Sequence, residues 1–167
     1  MNKYVFRKYS TDYVRFFRLE HARLRKALGP SAKVEHIGST SVPGLGGKGI
    51  LDVMVGVKKG MLEGAKEKLE KAGYEFRPAA GEGVRFFFRR NCGTRTIHVH
   101  LMPFGCIDWK EKLAFRNYLR GHAEAVAEYA KLKKAAVRKA RGNREVYIAS
   151  KNMFIERITR RAIKTLK

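Results

Sequence analysis

Two short segments of the chain combine residue types that bind phosphate groups and metal ions in enzymes. Gly38 and Ser39 end a short apolar segment, and Asp52 follows about a dozen residues later within the apolar run Leu51-Asp52-Val53. A Gly-Ser turn offers backbone N–H groups and a hydroxyl to phosphate oxygens. A carboxylate inside an apolar strand needs a cationic partner or a metal ion, because burying an unpaired charge is costly. The pattern therefore predicts a site for a phosphate-bearing ligand, with a structural ion pair at Asp52 as the alternative.

The glycine-rich segment 38–49 does not follow the phosphate-binding motifs of kinases or dehydrogenases. A Walker A loop ending in Gly47-Lys48 needs glycine at position 42 and serine or threonine at position 49, where the chain has Val42 and Gly49. No G-x-G-x-x-G lies between a strand and a helix here. The Gly-Ser turn followed by an acid on the next strand instead resembles the core of nucleotidyltransferases, in which carboxylates hold divalent metal ions.

Longer segments resemble one family of that superfamily. VEHIGSTSVPGLGGKGILDVMVGV, residues 34–57, resembles the signature of the GrpB family. RTIHVHLM, FRNYLRGH, AEYAKLKKAA and YIASKNMFI resemble its later blocks in the right order, so the likeness extends from about Tyr13 onward. The resemblance implies a nucleotidyltransferase fold. Because some family members are fused to dephospho-CoA kinase, it also implies a link to coenzyme A metabolism.

Hydrophobic patterns predict the elements that position these residues. Apolar residues at helical spacing predict an amphipathic helix from Tyr13 to Leu28, with Val14, Phe17, Leu24 and Leu28 as its apolar positions. Strands are predicted over 32–38 and 49–57, a helix over 61–73, and two antiparallel strands in VRFFFRR and TRTIHVHLM, joined at NCG. The chain from Trp109 onward has helical composition. This order predicts one α+β domain over residues 1–167, with a small mixed β-sheet, flanking helices and a helical C-terminal half.

The predicted acidic site is incomplete. A nucleotidyltransferase places a second carboxylate two residues after the first, so that both point to one strand face and share the metal ions. This chain has Met54 at that position. The residues that remain to complete the site are Glu35, His36, His98 and His100.

His98 and His100 lie two residues apart on a predicted strand, so their side chains share a face and could both point at Asp52. Imidazole and carboxylate ligands together suit zinc or manganese, whereas magnesium prefers oxygen ligands. Alternatively, one histidine acts as a general base near neutral pH, or both only position other groups. The candidate catalytic and metal-binding residues are therefore Asp52, Glu35, His98 and His100, with magnesium, manganese or zinc as the expected ion.

The candidate nucleotide- and phosphate-binding residues combine the turn with nearby cations. They are Gly38, Ser39, Thr40, Lys48, Arg85 and Lys133. Ser39 and Thr40 equally suit turn or helix-capping chemistry, and the three cations equally suit a solvated surface. A nucleoside triphosphate or another small anion is the expected ligand.

The charge of the chain indicates anionic partners of any kind. Lysine and arginine number 37 against 15 acids, which gives a net charge of +22 among 167 residues. Such a surface attracts RNA, DNA and nucleotides without reading their sequence. The run KLKKAAVRKARGNR is the strongest candidate for RNA contact, with a solvated helix face as the alternative.

Composition also predicts the setting of the protein. Cys92 and Cys106 are too few and too far apart for a disulfide scaffold or a paired-cysteine zinc site. No apolar run approaches the roughly 20 residues that span a bilayer. We therefore expect a soluble cytoplasmic protein without membrane contact.

Three functions remain open at this level. The first is metal-dependent transfer of a nucleotidyl group from a nucleoside triphosphate to an unknown acceptor. The second is a non-catalytic basic module that binds a nucleotide or RNA on the same fold. The third is a metal-dependent phosphohydrolase built on His98 and His100.

Overall fold

The structure, a computed structural model, describes residues 5–78 and 85–165. Within these residues the strands are β1 (Lys33–Ile37), β2 (Ile50–Val57), β3 (Glu75–Phe76), β4 (Phe86–Cys92) and β5 (Arg95–Pro103). The helices are α1 (Asp12–Leu28), α2 (Leu62–Lys71), α3 (Ile107–Gly121), α4 (Ala123–Ala140) and α5 (Arg144–Lys164), and short 3₁₀ turns cover Ser39–Ser41 and Lys59–Met61.

The strands form one mixed sheet in the order β1-β2-β5-β4-β3. β2 and β5 run parallel at its centre, and the other pairs are antiparallel. The chain passes from β2 through α2, β3 and β4 before it returns as β5. β2 is apolar almost throughout because helices cover both faces of the sheet there. This architecture confirms the predicted α+β class with a small mixed sheet.

One face of the sheet packs against α1 and α2. Side chains alternate between the two faces of a strand, so Leu51, Val53 and Val55 of β2 share this face. They belong to one buried cluster with Leu24 of α1 and Leu69 of α2. This core holds β2 firmly on the side away from the predicted site.

The opposite face of the sheet carries the predicted polar residues and is covered by the C-terminal helices. Asp52, His98 and His100 lie on this face by strand alternation. Farther along β2, Met54 is buried in an apolar cluster with Trp109 of α3. α5 packs against both α3 and α4, so the helical half of the chain closes over this face.

The first helix is confirmed, but its buried face differs from the predicted one. Val14 is exposed, whereas Phe16 and Glu20 are buried. Glu20 is buried because it has two partners: the hydroxyl of Tyr74 and the guanidinium of Arg90 both donate hydrogen bonds to its carboxylate. A charged residue of the first helix is thus buried with partners that are distant in sequence.

The hairpin and the helical half are also confirmed. β4 and β5 pair antiparallel. β4 extends through Cys92, so the connection consists of Gly93 and Thr94 instead of the predicted NCG. Asn143 caps α5, and its side chain accepts a hydrogen bond from the backbone N–H of Val146 at 3.1 Å. No helix in the described part of the chain has the length and apolar character needed to cross a membrane.

Candidate functional site

The turn after β1 begins with a glycine in a conformation that side chains rarely adopt. Gly38 has φ 71° and ψ −171°, a region essentially restricted to glycine. A Cβ atom at this position would lie 2.5 Å from Oδ2 of Asp52. Ser39 follows in the 3₁₀ turn, where Ser41 donates its hydroxyl to the carbonyl of Gly38 at 2.7 Å. Glycine at position 38 therefore lets the backbone of the turn lie directly against Asp52.

Asp52 is a residue of β2, the strand between β1 and β5, and it lies on the sheet face that the C-terminal helices cover. Its partner on β5 in the strand register is His98. Its Oδ1 atom lies 3.4 Å from Nδ1 of His98 and 3.5 Å from Nε2 of His100. Burial raises the pKa of Asp52, but hydrogen bonds and electrostatic attraction from His100 and His98 together outweigh burial and hold the pKa well below its usual range. Asp52 is therefore ionised at neutral pH.

His100 is the more enclosed of the two histidines. Its ring and that of His98 both meet the ring of Phe87 edge-on, with centroid distances of 5.1 and 4.8 Å. Burial lowers the pKa of His100, and the opposing effect of Asp52 does not restore it. We assign the proton of the neutral ring to Nε2, which faces the carboxylate. Nδ1 is buried without a hydrogen-bond partner among the described residues, so it can accept a proton.

Lys133 reaches the turn from α4 and is buried there. Its ammonium group donates hydrogen bonds to the hydroxyl of Ser39 and, at 2.6 Å, to the carbonyl of Gly46. A Cβ atom at Gly47 would lie 2.8 Å from Nζ of Lys133 and from Oγ of Ser39. Burial lowers the pKa of Lys133 to about 7, and Lys151 adds to this effect. The glycines of the loop thus make room for a lysine instead of forming a Walker A loop.

Two further lysines lie near Lys133. One comes from the loop before β2 and the other from α5. Nζ of Lys48 is 4.1 Å and Nζ of Lys151 is 4.0 Å from the ring centroid of Tyr147. Burial and then Lys151 lower the pKa of Lys48 to about 8, and burial lowers the pKa of Lys151 to about 8. Asp52 raises the pKa of both. Lys48, Lys133 and Lys151, hereafter the lysine cluster, therefore share one carboxylate neighbour.

Glu35 is held by α3. Nη1 of Arg116 donates to Oε2 of Glu35 at 2.7 Å and to the carbonyl of His36 at 2.8 Å. Nε of Arg120 donates to the carbonyl of Ser41 at 2.9 Å. The two arginines bind both ends of the segment that contains the turn and thus position it against α3.

His36 lies on the other face of the sheet. Its ring stacks on Phe17 of α1 with a centroid distance of 4.6 Å. Nε2 of His36 lies 3.0 Å from the hydroxyl of Thr40, which donates to the carbonyl of Ile50 at 3.2 Å. Burial and then Arg120 lower the pKa of His36 to about 4. His36 and Thr40 thus form a neutral hydrogen-bond chain inside the fold.

A cleft of about 330 Å³ opens between the sheet, the turn and helices α3 and α5. Its volume lies within the range of small-molecule sites, roughly 300–1,000 Å³. Polar lining comes from Ser39, Asp52, His100, Asp108, Glu111, Lys112, Arg116, Lys151 and Thr159, and apolar lining from Ile37, Val42, Leu45, Phe115, Leu119, Tyr129 and Ile155. The cleft therefore suits a ligand with an anionic part and an apolar or aromatic part.

The residues around Asp52 do not reproduce the paired carboxylates of a two-magnesium site. Met54 stands where the second carboxylate is needed, and it is fully buried among apolar side chains. Glu35 has Arg116 as its partner. Within residues 5–78 and 85–165, no group of three or more His, Cys, Asp and Glu side chains is arranged to hold a metal ion. The divalent ion expected at Asp52, Glu35, His98 and His100 stays a prediction.

The structure brings together part of the predicted site. The predicted residues that line the cleft are Gly38, Ser39, Asp52 and His100. His98 and Lys133 each contact one of these residues.

The other predicted residues lie outside the cleft lining. Glu35 and Thr40 are engaged with Arg116 and His36. Nη1 of Arg85 is 3.7 Å from Oδ2 of Asp108, which lines the cleft. Lys48 lies beside Tyr147.

Lys151 is a cleft residue that the sequence prediction missed. It is about a hundred residues from Asp52 in sequence and reaches the cleft only because α5 packs over the sheet. The one available signal was its place in the segment YIASKNMFI, which resembles a family block. Composition could not distinguish Lys151 among the lysines and arginines of the chain, which together number 37.

Comparison with known proteins decides the family. The profile described as "GrpB protein" matches residues 4–161. The chain belongs to the GrpB family. A UPF0157 protein of Pseudomonas aeruginosa is 35% identical over 153 residues, and the UPF0157 protein YqkA of Bacillus subtilis is 32% identical over 152 residues. These alignments cover 88% and 89% of this chain but 62% and 44% of the two relatives, so the chain spans about half the length of those relatives.

Solved structures confirm the fold of this GrpB-family chain. The crystal structure of the conserved protein GrpB from Enterococcus faecalis matches with a TM-score of 0.86 and 33% identity, over 97% of this chain and 99% of that chain. A cytoplasmic RNA terminal U-transferase matches with a TM-score of 0.51 and 18% identity, over 76% of this chain and 43% of that chain. The latter likeness shows a nucleotidyltransferase-like fold and nothing further.

Proposed function

We propose that this GrpB-family protein binds a nucleoside triphosphate in the cleft and transfers its nucleotidyl group to an acceptor. One observation carries the proposal: Ser39 of the Gly-Ser turn and Asp52 of the next strand line the same cleft, and the buried Lys133 donates a hydrogen bond to Ser39. The nucleotidyltransferase-like fold supports this proposal.

The lining of the cleft suits a ligand that has two chemically different parts. Ser39, Lys151 and Arg116 offer donors to phosphate oxygens. Phe115 and Tyr129 offer apolar and aromatic surface of the kind that takes a nucleobase. The triphosphate therefore lies beside the turn, with the base directed toward α3 and α4.

The reaction is an in-line displacement at the α-phosphorus. An oxygen of the acceptor forms a bond to this phosphorus, the bond to the β-phosphate oxygen breaks, and pyrophosphate leaves with the electron pair. The proton of the acceptor passes to Nδ1 of His100, whose neutral ring lines the cleft, and the Asp52 carboxylate beside Nε2 stabilises the charge that the ring gains. Lys151 and Arg116 stabilise the charge that develops on pyrophosphate.

A labelling assay tests the proposal. The protein is incubated with each nucleoside triphosphate labelled at the α-phosphate and with two acceptors. The first is a short RNA, because the net charge of +22 favours polyanions. The second is dephospho-CoA, because of the link that the family resemblance implies. We expect labelled product and pyrophosphate in equal amounts, with one nucleotide preferred.

Asp52→Asn and Asp12→Asn provide the matched comparison. Both remove one carboxylate, but Asp12 lies in the exposed first turn of α1. We expect Asp52→Asn to slow transfer by about 100-fold or more, the usual contribution of acid–base catalysis, and Asp12→Asn to leave it unchanged. Equal rates in the two variants would contradict the role of Asp52.

A second candidate function is nucleotide binding without catalysis. The burial of Met54 in an apolar cluster favours it, because the second acidic position has become part of the core. Binding of a triphosphate without pyrophosphate release would support this candidate. Release of inorganic phosphate without label transfer would instead support a phosphohydrolase that uses His98 and His100.

A further inference from the structure

The site lacks a second acid on β2, and the surrounding fold disfavours a carboxylate at that position. Met54 lies two residues after Asp52 on the same face of β2 and is fully buried. It packs with Ile37, Met102 and Trp109. A carboxylate here would lose its water and find apolar neighbours, which is costly. Asp52 is the one acid that β2 contributes to the cleft, and Asp108 and Glu111 of α3 also line it.

The site holds basic side chains from three separate parts of the chain. Lys133 is buried against the hydroxyl of Ser39. Lys48 and Lys151 both lie against the ring of Tyr147. Among the described residues no carboxylate lies within ion-pair distance of Lys133 or Lys151. Of the three amines, Lys151 lines the cleft, Lys133 contacts Ser39 of the lining, and Lys48 lies against the same ring as Lys151.

The three lysines lie close enough to affect one another. Lys151 lowers the pKa of both Lys48 and Lys133, and Asp52 raises the pKa of all three lysines without offsetting burial. Like charges that are brought together out of water repel one another and destabilise the fold. A bound polyanion removes this repulsion and restores the protons. The arrangement is thus suited to a ligand that carries several negative charges of its own.

We propose that the protein binds the triphosphate of its nucleotide free of magnesium, and that the lysine cluster supplies the positive charge that metal ions supply in a two-metal site. This inference rests on the proposed binding of a nucleoside triphosphate. It adds the ionic form of the ligand and gives Lys151 a role. A magnesium-bound triphosphate carries less negative charge than the free form, so it binds the lysine cluster less tightly.

Isothermal titration calorimetry at pH 7 tests this inference with ATP and the other three nucleoside triphosphates. Each is titrated once in EDTA and once in excess magnesium. We expect the preferred nucleotide to bind more tightly in EDTA than in excess magnesium. Binding that is seen only with magnesium would overturn the inference and leave the proposed function standing. No binding in either buffer would overturn both.

Lys151→Gln and Lys139→Gln separate the cluster from the general positive charge. Each variant removes one ammonium group, but Lys139 lies on an exposed face of α4. We expect Lys151→Gln to weaken binding in EDTA by about tenfold or more, as for a lost charge-assisted hydrogen bond, and Lys139→Gln to change it little. Equal weakening in both variants would show that the whole surface binds the nucleotide and would overturn the inference.

Discussion

Replacement of Gly38 by alanine tests how the turn fits against Asp52. Gly38 and Gly29 have nearly the same backbone conformation, with φ and ψ of 71° and −171° at the first and 88° and 176° at the second. Their surroundings differ. A Cβ atom at position 38 would lie 2.5 Å from Oδ2 of Asp52, whereas no atom lies within 4 Å of a Cβ atom at position 29. Gly29→Ala is therefore a matched control for backbone strain.

Gly38→Ala should lower the free energy of unfolding more than Gly29→Ala, because only Gly38→Ala adds a steric clash. Gly29→Ala should lower the free energy of unfolding by roughly 1–3 kcal/mol through backbone strain alone. Gly38→Ala should lower it by the same strain plus about 1–3 kcal/mol for overpacking against Asp52. In a domain of this size, each kcal/mol lowers Tm by about 2–4 °C.

Urea unfolding at pH 7 measures both losses. The double variant Gly38→Ala/Asp52→Ala adds a second test, because Asp52→Ala removes the oxygen closest to the new methyl group. We expect the double variant to lose less stability than the sum of the single variants. Equal losses for Gly29→Ala and Gly38→Ala, together with an additive double variant, would refute the close contact between the turn and Asp52.

Two further variants test the buried charges. Glu20→Gln leaves the guanidinium of Arg90 without its anionic partner, so the free energy of unfolding should fall by about 3 kcal/mol in urea; a loss near zero would contradict a buried pair. Burial lowers the pKa of Lys133 to about 7 in the folded chain, so between pH 7 and about 10 only the unfolded chain holds this proton, and stability rises with pH. Lys133→Met should flatten that rise, and parallel profiles for variant and wild type would contradict the lowered pKa.

Short-range patterns were sufficient to predict much of the fold and which side chains meet around Asp52. The period-2 spacing of His98 and His100 placed both side chains on one strand face, and both contact Asp52 as expected. Gly38 and Ser39 likewise lie at the end of β1. These features depend on alternation along single strands, which the sequence contains directly.

The remaining features depend on packing between elements that are distant in sequence. Glu20 was not among the predicted buried positions of the first helix, and it is buried because Arg90 and Tyr74 contact it from distant parts of the chain. Lys151 became a cleft residue through the docking of α5. Neither periodicity nor propensity reports which of many charged residues meets which partner across the fold.

Thermal unfolding with nucleotides tests the central claim most directly, namely that the cleft beside the Gly-Ser turn binds a nucleoside triphosphate. Wild type, Ser39→Ala, Lys151→Gln and the surface control Lys139→Gln are heated with each triphosphate. At a ligand concentration 100 times Kd, binding stabilises the folded state by about 2.7 kcal/mol, so Tm should rise by several degrees in wild type and control and much less in the two cleft variants. The same rise in all four proteins would contradict the claim and assign nucleotide binding to the basic surface as a whole.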